Sequence, residues 1–263
     1  MNSFLFPEVQ VKALFLDYDG TLAPLNVPRS QSVVSPSRIS VLNRISQLIP
    51  IGVISTKDLE FLVKRTTFAH EWSGLGGLET KIGDVITRTY SGKQVFELTK
   101  ALCYAKCSCA DIEGIIIEEK HDSEGTAVGF SLDWRQAENQ REARIQASRI
   151  RSYCESLAVA TISYDQQPFF DVFLCPIDKG KALLEMKQKL GLIDGILYLG
   201  DSAVDNPAFH VADIAIGVIS DGARNNLICK YFVNFEDLPA FLEDLLKHNF
   251  RFSASLSKIS PKH

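Results

Sequence analysis

The chain has 263 residues, enough for one core domain with an insertion or for two small domains. Hydrophobic residues make up 46% and charged residues 23% of it, which is ordinary for a globular protein and excludes disordered, collagen-like and disulfide-stapled chains. The formal net charge of -4 lacks the basic excess of a nucleic-acid-binding protein. No apolar run approaches the roughly 20 residues that span a bilayer, and the first ten residues lack the basic segment of a secretory signal. We therefore predict a cytoplasmic protein with neither nucleic-acid nor membrane partners.

Short apolar runs alternate with helical patterns in the first and last thirds of the chain. The runs that predict buried strands are residues 11–16, 51–54, 195–199 and 214–218. The patterns that predict helices are residues 37–48, 58–66 and 179–190. Strands that alternate with helices predict a parallel sheet covered on both faces, with ligands at the carboxyl ends of its strands.

The middle of the chain has a different pattern. The segments that predict strands are residues 114–120, 126–134, 159–164 and 169–174, and residues 135–157 predict a charged helix. The first two strands form an antiparallel pair about a polar turn. These features predict an α+β segment inserted into an α/β domain. We place the insertion at residues 97–168, so that residues 1–96 and 169–263 form the core.

Two aspartates follow the first predicted strand, in residues 17–21 (DYDGT). At an effective dielectric near 20, two unit charges 4 Å apart repel by about 4 kcal/mol, so Asp17 and Asp19 are costly to bring together without a cation. Mg2+ prefers such hard oxygen ligands. The alternative interpretation is a solvated acidic turn closed by Gly20.

A second acidic motif follows the third predicted strand, in residues 200–206 (GDSAVDN). Asp201 and Asp205 lie four positions apart, so one helical turn would bring both carboxylates to the same side. Since carboxyl ends of parallel strands meet at one edge, these acids and the first pair are expected at one rim of the sheet. Such a gathering of acids favours a metal site.

Phosphate-binding groups are predicted beside these acids. Asp178 is a candidate N-cap for the helix that begins at Lys179, whose ammonium would offset the charge between a carboxylate and a phosphate. Ser55 and Thr56 follow the second strand and offer a hydroxyl and backbone N–H groups to phosphate oxygens. The alternatives are a solvated lysine and simple capping of the helix over residues 58–66 by Ser55 or Thr56.

The six cysteines include a C-x3-C-x-C cluster formed by Cys103, Cys107 and Cys109. A metal site there needs a fourth ligand, for which His121 is the nearby imidazole, and the spacing matches no common zinc pattern. We interpret the cysteines as small buried or half-exposed thiols. Disulfides are the alternative for a hyperthermophilic source.

Four motifs resemble, in chain order, those of the haloacid dehalogenase (HAD) superfamily of phosphatases. They are residues 17–21, residues 55–56, Lys179 and residues 200–206. The resemblance covers nearly the whole chain, and the insertion lies where that family carries its larger C2-type cap. It implies an α/β fold with a Rossmann-like, parallel-sheet core and an inserted α+β cap domain. Within the superfamily, the sequence is most similar to trehalose-6-phosphate phosphatases and related sugar phosphatases, through residues 15–24, 178–180 and 200–209.

The resemblance to these sugar phosphatases extends into the insertion. Glu119 and Lys120 match cap residues that contact the sugar in that family. Trp134 and Arg135 match an aromatic-arginine pair there, and Arg135 is a further candidate sugar contact. The chain departs from the family pattern at several positions, which are Thr56, Lys57, His121, Asp133 and residues 202–204. Phosphoryl chemistry is therefore better supported than any particular sugar.

The resemblance implies an Mg2+-dependent mechanism. Asp17 would attack phosphorus and form an aspartyl-phosphate. Mg2+ would be held by Asp17, the backbone carbonyl of Asp19 and Asp201, and would neutralise charge on the transferred group. Asp19 would protonate the leaving oxygen and then deprotonate the attacking water.

The remaining predicted site residues serve the phosphate. Ser55 and Lys179 would hold phosphate oxygens, and Asp205 would orient Lys179 or a water on the metal. Thr21 and Thr56 complete the predicted substrate-binding residues.

The sequence thus predicts a phosphatase, monomeric or a small homo-oligomer, whose partner is a small-molecule phosphate ester. The best candidate is trehalose 6-phosphate or a similar sugar phosphate. A phosphomannomutase-type mutase is one alternative, because it shares the aspartate motif and a comparable cap. A non-catalytic binding module on the same fold is the other, since a fold alone does not fix activity.

Overall fold

The structure is a computed structural model that describes residues 8–25, 27–164, 167–220, 226–256 and 258–261. The helices are α1 (Pro36–Ser46), α2 (Leu59–Arg65), α3 (Val95–Cys109), α4 (Gln140–Ser156), α5 (Lys179–Lys189), α6 (Asn206–Val211) and α7 (Leu238–Lys247). The strands are β1 (Val9–Gln10), β2 (Ala13–Leu16), β3 (Ile51–Ile54), β4 (Glu71–Gly74), β5 (Glu79–Ile82), β6 (Val85–Arg88), β7 (Ile116–His121), β8 (Ala127–Asp133), β9 (Ala160–Ser163), β10 (Phe169–Phe173), β11 (Ile196–Gly200), β12 (Ile214–Ile219), β13 (Tyr231–Asn234), β14 (Arg251–Phe252) and β15 (Ile259–Pro261).

The chain divides into two compact units. The first, here called the core unit, comprises the described residues up to Thr87 and from Asp178 onward. The second, the inserted unit, is Arg88–Ile177. Within the described ranges, no helix has both the length and the apolar character that crossing a membrane requires. All six cysteines are free thiols.

The core unit is built on a sheet with the strand order β15-β13-β12-β11-β2-β3-β4-β5-β6. The six strands from β13 to β4 run parallel, whereas β15 and β5 are antiparallel to their neighbours. The strand order reverses between β2 and β11, because β3 and β4 continue to one side of β2 while β12 and β13 continue to the other side of β11. In an open α/β sheet such a reversal places a ligand crevice at the carboxyl ends of the two strands.

Alternation of side chains along the strands builds a core on each face of this sheet. Leu14 and Leu16 of β2 pack into the cluster that contains α1, α2 and α7 residues. Ala13 and Phe15 pack on the opposite face, against α5 and α6. Each of these strand residues is fully buried, as expected of a strand covered on both faces. The predicted α/β class with a parallel-sheet core is therefore confirmed.

The ends of the core helices follow local capping signals. The side chain of Asp178 accepts hydrogen bonds from the backbone of Gly180 and Lys181, so the predicted N-cap of α5 is confirmed. The predicted cap of α2 is wrong: Asp58, not Ser55 or Thr56, accepts from the backbone N–H of Phe61. An aspartate directly before the first helical turn outcompetes hydroxyls placed two or three residues further from it.

The inserted unit contains an antiparallel sheet with the strand order β7-β8-β10-β9. Helices α3 and α4 pack on each other and on strands β8 and β9. The sequence places the segment after residue 168 in the core, but β10 pairs with β8 and β9. Arg88–Ile177 therefore extends beyond the predicted 97–168 at both ends, because a strand belongs to the sheet that satisfies its backbone groups.

Candidate active site

The two acidic motifs meet where the strand order of the core unit reverses. Asp17 directly follows β2, and its backbone N–H donates to the carbonyl of Leu199 in β11. Asp201 directly follows β11, and Ser55 directly follows β3, the neighbour of β2 on the other side. The sheet thus brings together, at one edge, residues from three distant parts of the chain, as the sequence predicts.

Lys179 joins the acids through its position at the start of α5. Its ammonium lies 2.8 Å from Oδ1 of Asp17 and 2.7 Å from Oδ1 of Asp205. Burial opposes its charge, but the two carboxylates outweigh this effect and raise the pKa of Lys179 above its ordinary value. Lys179 is therefore a fixed cation between two acids, and we call Asp17, Lys179, Asp201 and Asp205 the acid cluster.

Asp205 has the carboxylate of the acid cluster that accepts the most hydrogen bonds in the described structure. Its Oδ1 accepts from Lys179 and, at 2.7 Å, from the hydroxyl of the fully buried Tyr198. Its Oδ2 accepts from the backbone N–H groups of Asp201 and Ser202 and from the Ser202 hydroxyl. With this many donors on its two oxygens, Asp205 orients Lys179 and the loop around Asp201 rather than offering a free oxygen to a ligand.

Asp17 and Asp201 form the open part of the acid cluster. Their side chains are in hydrogen-bond contact, and burial, followed by the charges of Asp17 and Asp205, raises the pKa of Asp201 well above its ordinary value. Burial likewise raises the pKa of Asp17 to about 7, with the Lys179 ammonium opposing that shift. One ligand oxygen from each of Asp17, Asp201 and Asp205 lies within 4.8 Å of the others. Buried carboxylates this close favour a bound cation.

Two glycines are required for this packing. Gly20 has a φ of 75°, and a Cβ there would lie 2.1 Å from Oδ2 of Asp201. A Cβ on Gly200 would lie 2.4 Å from Cγ of Asp205. Larger residues at either position would displace an acid of the cluster.

Asp19 lies beside the acid cluster but has its own partners. Its Oδ1 accepts from the hydroxyl of Ser32 at 2.9 Å, and its Oδ2 lies 3.3 Å from the ammonium of Lys57. The side chain of Asp19 keeps 22% of its surface exposed, so it is accessible to solvent. In the sequence, Lys57 is only a departure from the family pattern. The structure pairs it with Asp19, a predicted catalytic acid.

The remaining predicted residues of the core unit surround this edge. Ser55 is buried, and its hydroxyl oxygen accepts from the backbone N–H of Lys57 at 3.3 Å. Thr56 is half-buried in the same turn. Thr21 is fully buried, and within the described part of the chain its hydroxyl has no hydrogen-bond partner.

In the inserted unit, alternation along β7 separates two of the predicted sugar contacts. Glu119 forms an ion pair with Lys106 of α3, so it faces the helical side of the sheet. Lys120 lies on the opposite side, 3.3 Å from Asp171 of β10. Glu118 shares the face of Lys120, because residues two apart on a strand point the same way. A role for Glu119 in substrate binding stays a prediction.

The charged side chains on this open face already have partners. Asp171 accepts from Ser131 on Oδ1 and from the hydroxyl of Tyr164 on Oδ2, the latter at 2.7 Å. Arg135 is paired with Asp133, and its guanidinium lies over the ring of Phe169 at 5.3 Å. This open face, the side of the sheet away from α3 and α4, therefore carries the buried Lys120–Asp171 pair with hydroxyls and aromatic rings around it.

The sequence gives unequal signals for the further residues at these sites. Tyr198 stands out as the one hydroxyl residue in the apolar run of β11. For Ser32 and Asp171 the sequence carries no signal, because their partners lie far away in the chain.

The sheet order, the reversal at β2 and β11 and the α+β insertion match the fold of solved structures of the HAD superfamily. One solved structure with this fold is a subclass IIB sugar phosphatase of the HAD superfamily, with a TM-score of 0.60 and 13% identity over 91% of this chain and 100% of that one. The predicted resemblance is thereby confirmed at the level of the fold.

More specific similarity is to trehalose-phosphate phosphatases. The C-terminal domain of the trehalose-6-phosphate phosphatase of C. albicans has a TM-score of 0.73 and 17% identity, over 89% of this chain and 91% of that one. The trehalose-phosphate phosphatase of Mycobacterium tuberculosis is 25% identical over 227 residues, which cover 81% of this chain and 55% of that protein. The chain thus spans about half the length of the curated relatives it matches. No protein-family model matches the sequence.

Proposed function

We propose that this protein is a Mg2+-dependent phosphatase that hydrolyses a sugar phosphate through an aspartyl-phosphate at Asp17. The observation that carries the proposal is the buried contact of Asp17 with both Asp201 and Lys179 at the reversal of the strand order. A nucleophilic carboxylate needs a cation on each side to approach a phosphate dianion, and this position supplies one ammonium and one acidic neighbour able to share a metal.

The residues of the acid cluster fit a divalent cation. Its three acids, when ionised, exceed the single Lys179 ammonium by two charges, which is the charge of Mg2+. Asp17 and Asp201 would hold the ion, with the backbone carbonyl of Asp19 as a further oxygen ligand. Bound Mg2+ would supply electrostatic stabilisation of the transferred phosphoryl group.

The chain's own residues would carry the two chemical steps. In the first, an Asp17 oxygen bonds to phosphorus, the bond from phosphorus to the sugar oxygen breaks, and Asp19 gives that oxygen a proton. In the second, water attacks phosphorus, Asp19 takes up the proton of that water, and the bond to Asp17 breaks with release of inorganic phosphate. Ser55 and Lys179 would hold phosphate oxygens throughout.

We propose that the inserted unit acts as a cap and that Glu119 and Lys120 contact the sugar end of the substrate. Support comes from their resemblance to sugar-contacting cap residues, and from the hydroxyls and aromatic rings on the face of the sheet that carries Lys120. Arg135, Thr21 and Thr56 keep their predicted substrate-binding roles. Trehalose 6-phosphate is the first candidate substrate, because the matched relatives are named for it.

The test is a phosphate-release assay with trehalose 6-phosphate, glucose 6-phosphate, mannose 1-phosphate and 4-nitrophenyl phosphate. We expect turnover with Mg2+, none after EDTA, and recovery when Mg2+ is restored. Asp17→Asn should lose at least about a thousandfold in rate with its fold intact, whereas the exposed Asp194→Asn should match wild type. Isomerised sugar phosphate without free phosphate would indicate a mutase, and no turnover of any ester would indicate a binding module.

A further inference from the structure

The carboxylate of Asp19 is held from both sides by residues outside its own motif. Ser32 donates its hydroxyl hydrogen to Oδ1 at 2.9 Å, and the Lys57 ammonium lies 3.3 Å from Oδ2. A carboxylate with a partner on each oxygen loses its freedom to rotate. Since Asp19 is partly exposed, its carboxylate would rotate in solvent without these two contacts.

Ser32 is itself fixed, although it lies between helices in a connecting segment. Its carbonyl oxygen accepts from the Tyr18 hydroxyl at 2.8 Å and from the Arg65 guanidinium at 3.2 Å. Its backbone N–H donates to the carbonyl of Pro28 at 3.0 Å, closing a helical turn at Arg29–Gln31. The residue is 1% exposed. Its hydroxyl is therefore aimed at Asp19 by three backbone contacts.

Ser32 is connected to the segment that follows the proposed nucleophile, Asp17, through two adjacent residues. Tyr18 holds the carbonyl of Ser32, while Asp19, the next residue, receives its hydroxyl. Tyr18 is fully buried against Phe61, with ring centroids 5.2 Å apart, so this end of the contact is rigid. The pair of hydrogen bonds ties residues 18 and 19 to one point of the connecting segment.

We propose that Ser32 is a positioning residue that aims the Asp19 carboxyl group for proton transfer to the leaving oxygen. This inference rests on the proposed function, because it assumes that Asp19 acts as general acid. A general acid must lie within hydrogen-bond reach of the oxygen it protonates, so loss of orientation slows the step. Ser32 contacts the side chain of Asp19, not its backbone carbonyl, which is the proposed metal ligand, and it acts only through that side chain.

The test compares leaving groups with Ser32→Ala. For trehalose 6-phosphate or glucose 6-phosphate, whichever is turned over faster, kcat/KM should fall about five- to tenfold, the effect of one lost hydrogen bond. For 4-nitrophenyl phosphate, kcat/KM should change less than about twofold, because nitrophenolate departs without a proton. The matched control is Ser46→Ala, whose hydroxyl bonds the Asn43 carbonyl on an exposed helix end and which should leave both values unchanged.

The second arm repeats Ser32→Ala in an Asp19→Asn background. If Ser32 acts through Asp19, the added substitution should change kcat/KM for the sugar phosphate by less than about twofold. An equal loss with both leaving groups, or the same fivefold loss without the Asp19 carboxylate, would overturn the inference. Should Ser32→Ala fail to fold, Tyr18→Phe removes the contact that holds Ser32 and is judged by the same criteria. A wild type that hydrolyses no ester would instead defeat the proposed function.

Discussion

The two units each bury an ionic group, but the two groups differ in their balance of charge. The acid cluster of the core unit sets three carboxylates against the ammonium of Lys179. The pair in the inserted unit sets Lys120 against Asp171, whose oxygens are further bound by neighbouring hydroxyls. Both groups are buried, so burial does not distinguish them.

The difference separates a site that needs a ligand from one that is complete. Uncompensated buried charge costs several kcal/mol per ion, so an excess of two carboxylates must be met by protons or by a cation. A one-to-one pair with its hydrogen bonds made requires nothing from outside. The core unit therefore carries a charge imbalance that protons or a bound cation must offset, whereas the pair in the inserted unit is balanced.

We expect the largest effect on stability when the ion pair between Lys120 and Asp171 is broken. Lys120→Met leaves the Asp171 carboxylate buried without its cation, so the free energy of unfolding should fall by about 3–5 kcal/mol. Urea unfolding at pH 7 measures it. Lys106→Met, which breaks an ion pair of an exposed lysine with Glu119, should leave the free energy of unfolding nearly unchanged. Equal effects of the two substitutions would show that the Lys120 pair is not held as described.

A buried acid outside both groups sharpens the comparison. In the described structure, Oε2 of Glu71 is buried without a hydrogen-bond partner, and burial raises the pKa of Glu71 to about 7 from 4.5. Between these values the unfolded chain ionises while the folded protein keeps its proton. Stability is therefore present below pH 4.5 and lost as pH rises toward 7, by at most about 3 kcal/mol.

Glu71→Gln removes this titration. The variant should be more stable than wild type at pH 8 and equal to it near pH 4, as measured by unfolding at both pH values. Glu60→Gln, at an exposed residue, should follow wild type at each pH. If the free energy of unfolding of Glu71→Gln changed with pH as that of wild type does, Glu71 would not be the group that titrates.

The acid cluster has two more carboxylates than ammonium groups, so we predict that Mg2+ stabilises the folded protein. At a hundred times its dissociation constant, a ligand that binds only the folded state adds about 2.7 kcal/mol. Thermal unfolding with and without Mg2+ should show this gain for wild type and lose it in Asp201→Asn. Lys120→Met should keep the full gain, because its pair takes no part in binding the ion. Stabilisation that persists in Asp201→Asn would place the ion elsewhere.

The smallest effect concerns the paired charges at the edge of the open face. Asp133→Asn removes the carboxylate that engages Arg135, and such a partly exposed pair contributes less than about 1 kcal/mol to stability. We expect unfolding to be almost unchanged, while the KM for the sugar phosphate changes because Arg135 is released. A change in kcat at constant KM would argue against a substrate contact.

The sequence predicts the core of the molecule well because its signals are local. An apolar run followed by an aspartate marks both β2 and β11, and the order of elements implies the parallel sheet that joins them. Their ends differ from the prediction by one or two residues. The acid cluster follows from this topology, since carboxyl ends of adjacent parallel strands lie together.

The inserted unit and the contacts of Asp19 were harder to predict, for physical reasons. Antiparallel pairing depends on hydrogen bonds between distant segments, so the sequence places β10 in the core although it completes the inserted sheet. Alternation along β7 turns Glu119 and Lys120 to opposite faces, and the sequence alone does not say which face the helices cover. Ser32 meets Asp19 only through the path of its connecting segment, which no periodic pattern encodes.

The position of β2 and β11 within the sheet has a consequence for how the molecule opens. In the described part of the chain they are the fourth and fifth of nine strands, so each is paired along both sides. Fraying begins at the outer strands, where fewer backbone groups are bound. Amide hydrogens of β2 and β11 are thus expected to exchange with solvent only through cooperative unfolding. Asp17 and Asp201, which directly follow these strands, would then keep their spacing through every smaller fluctuation.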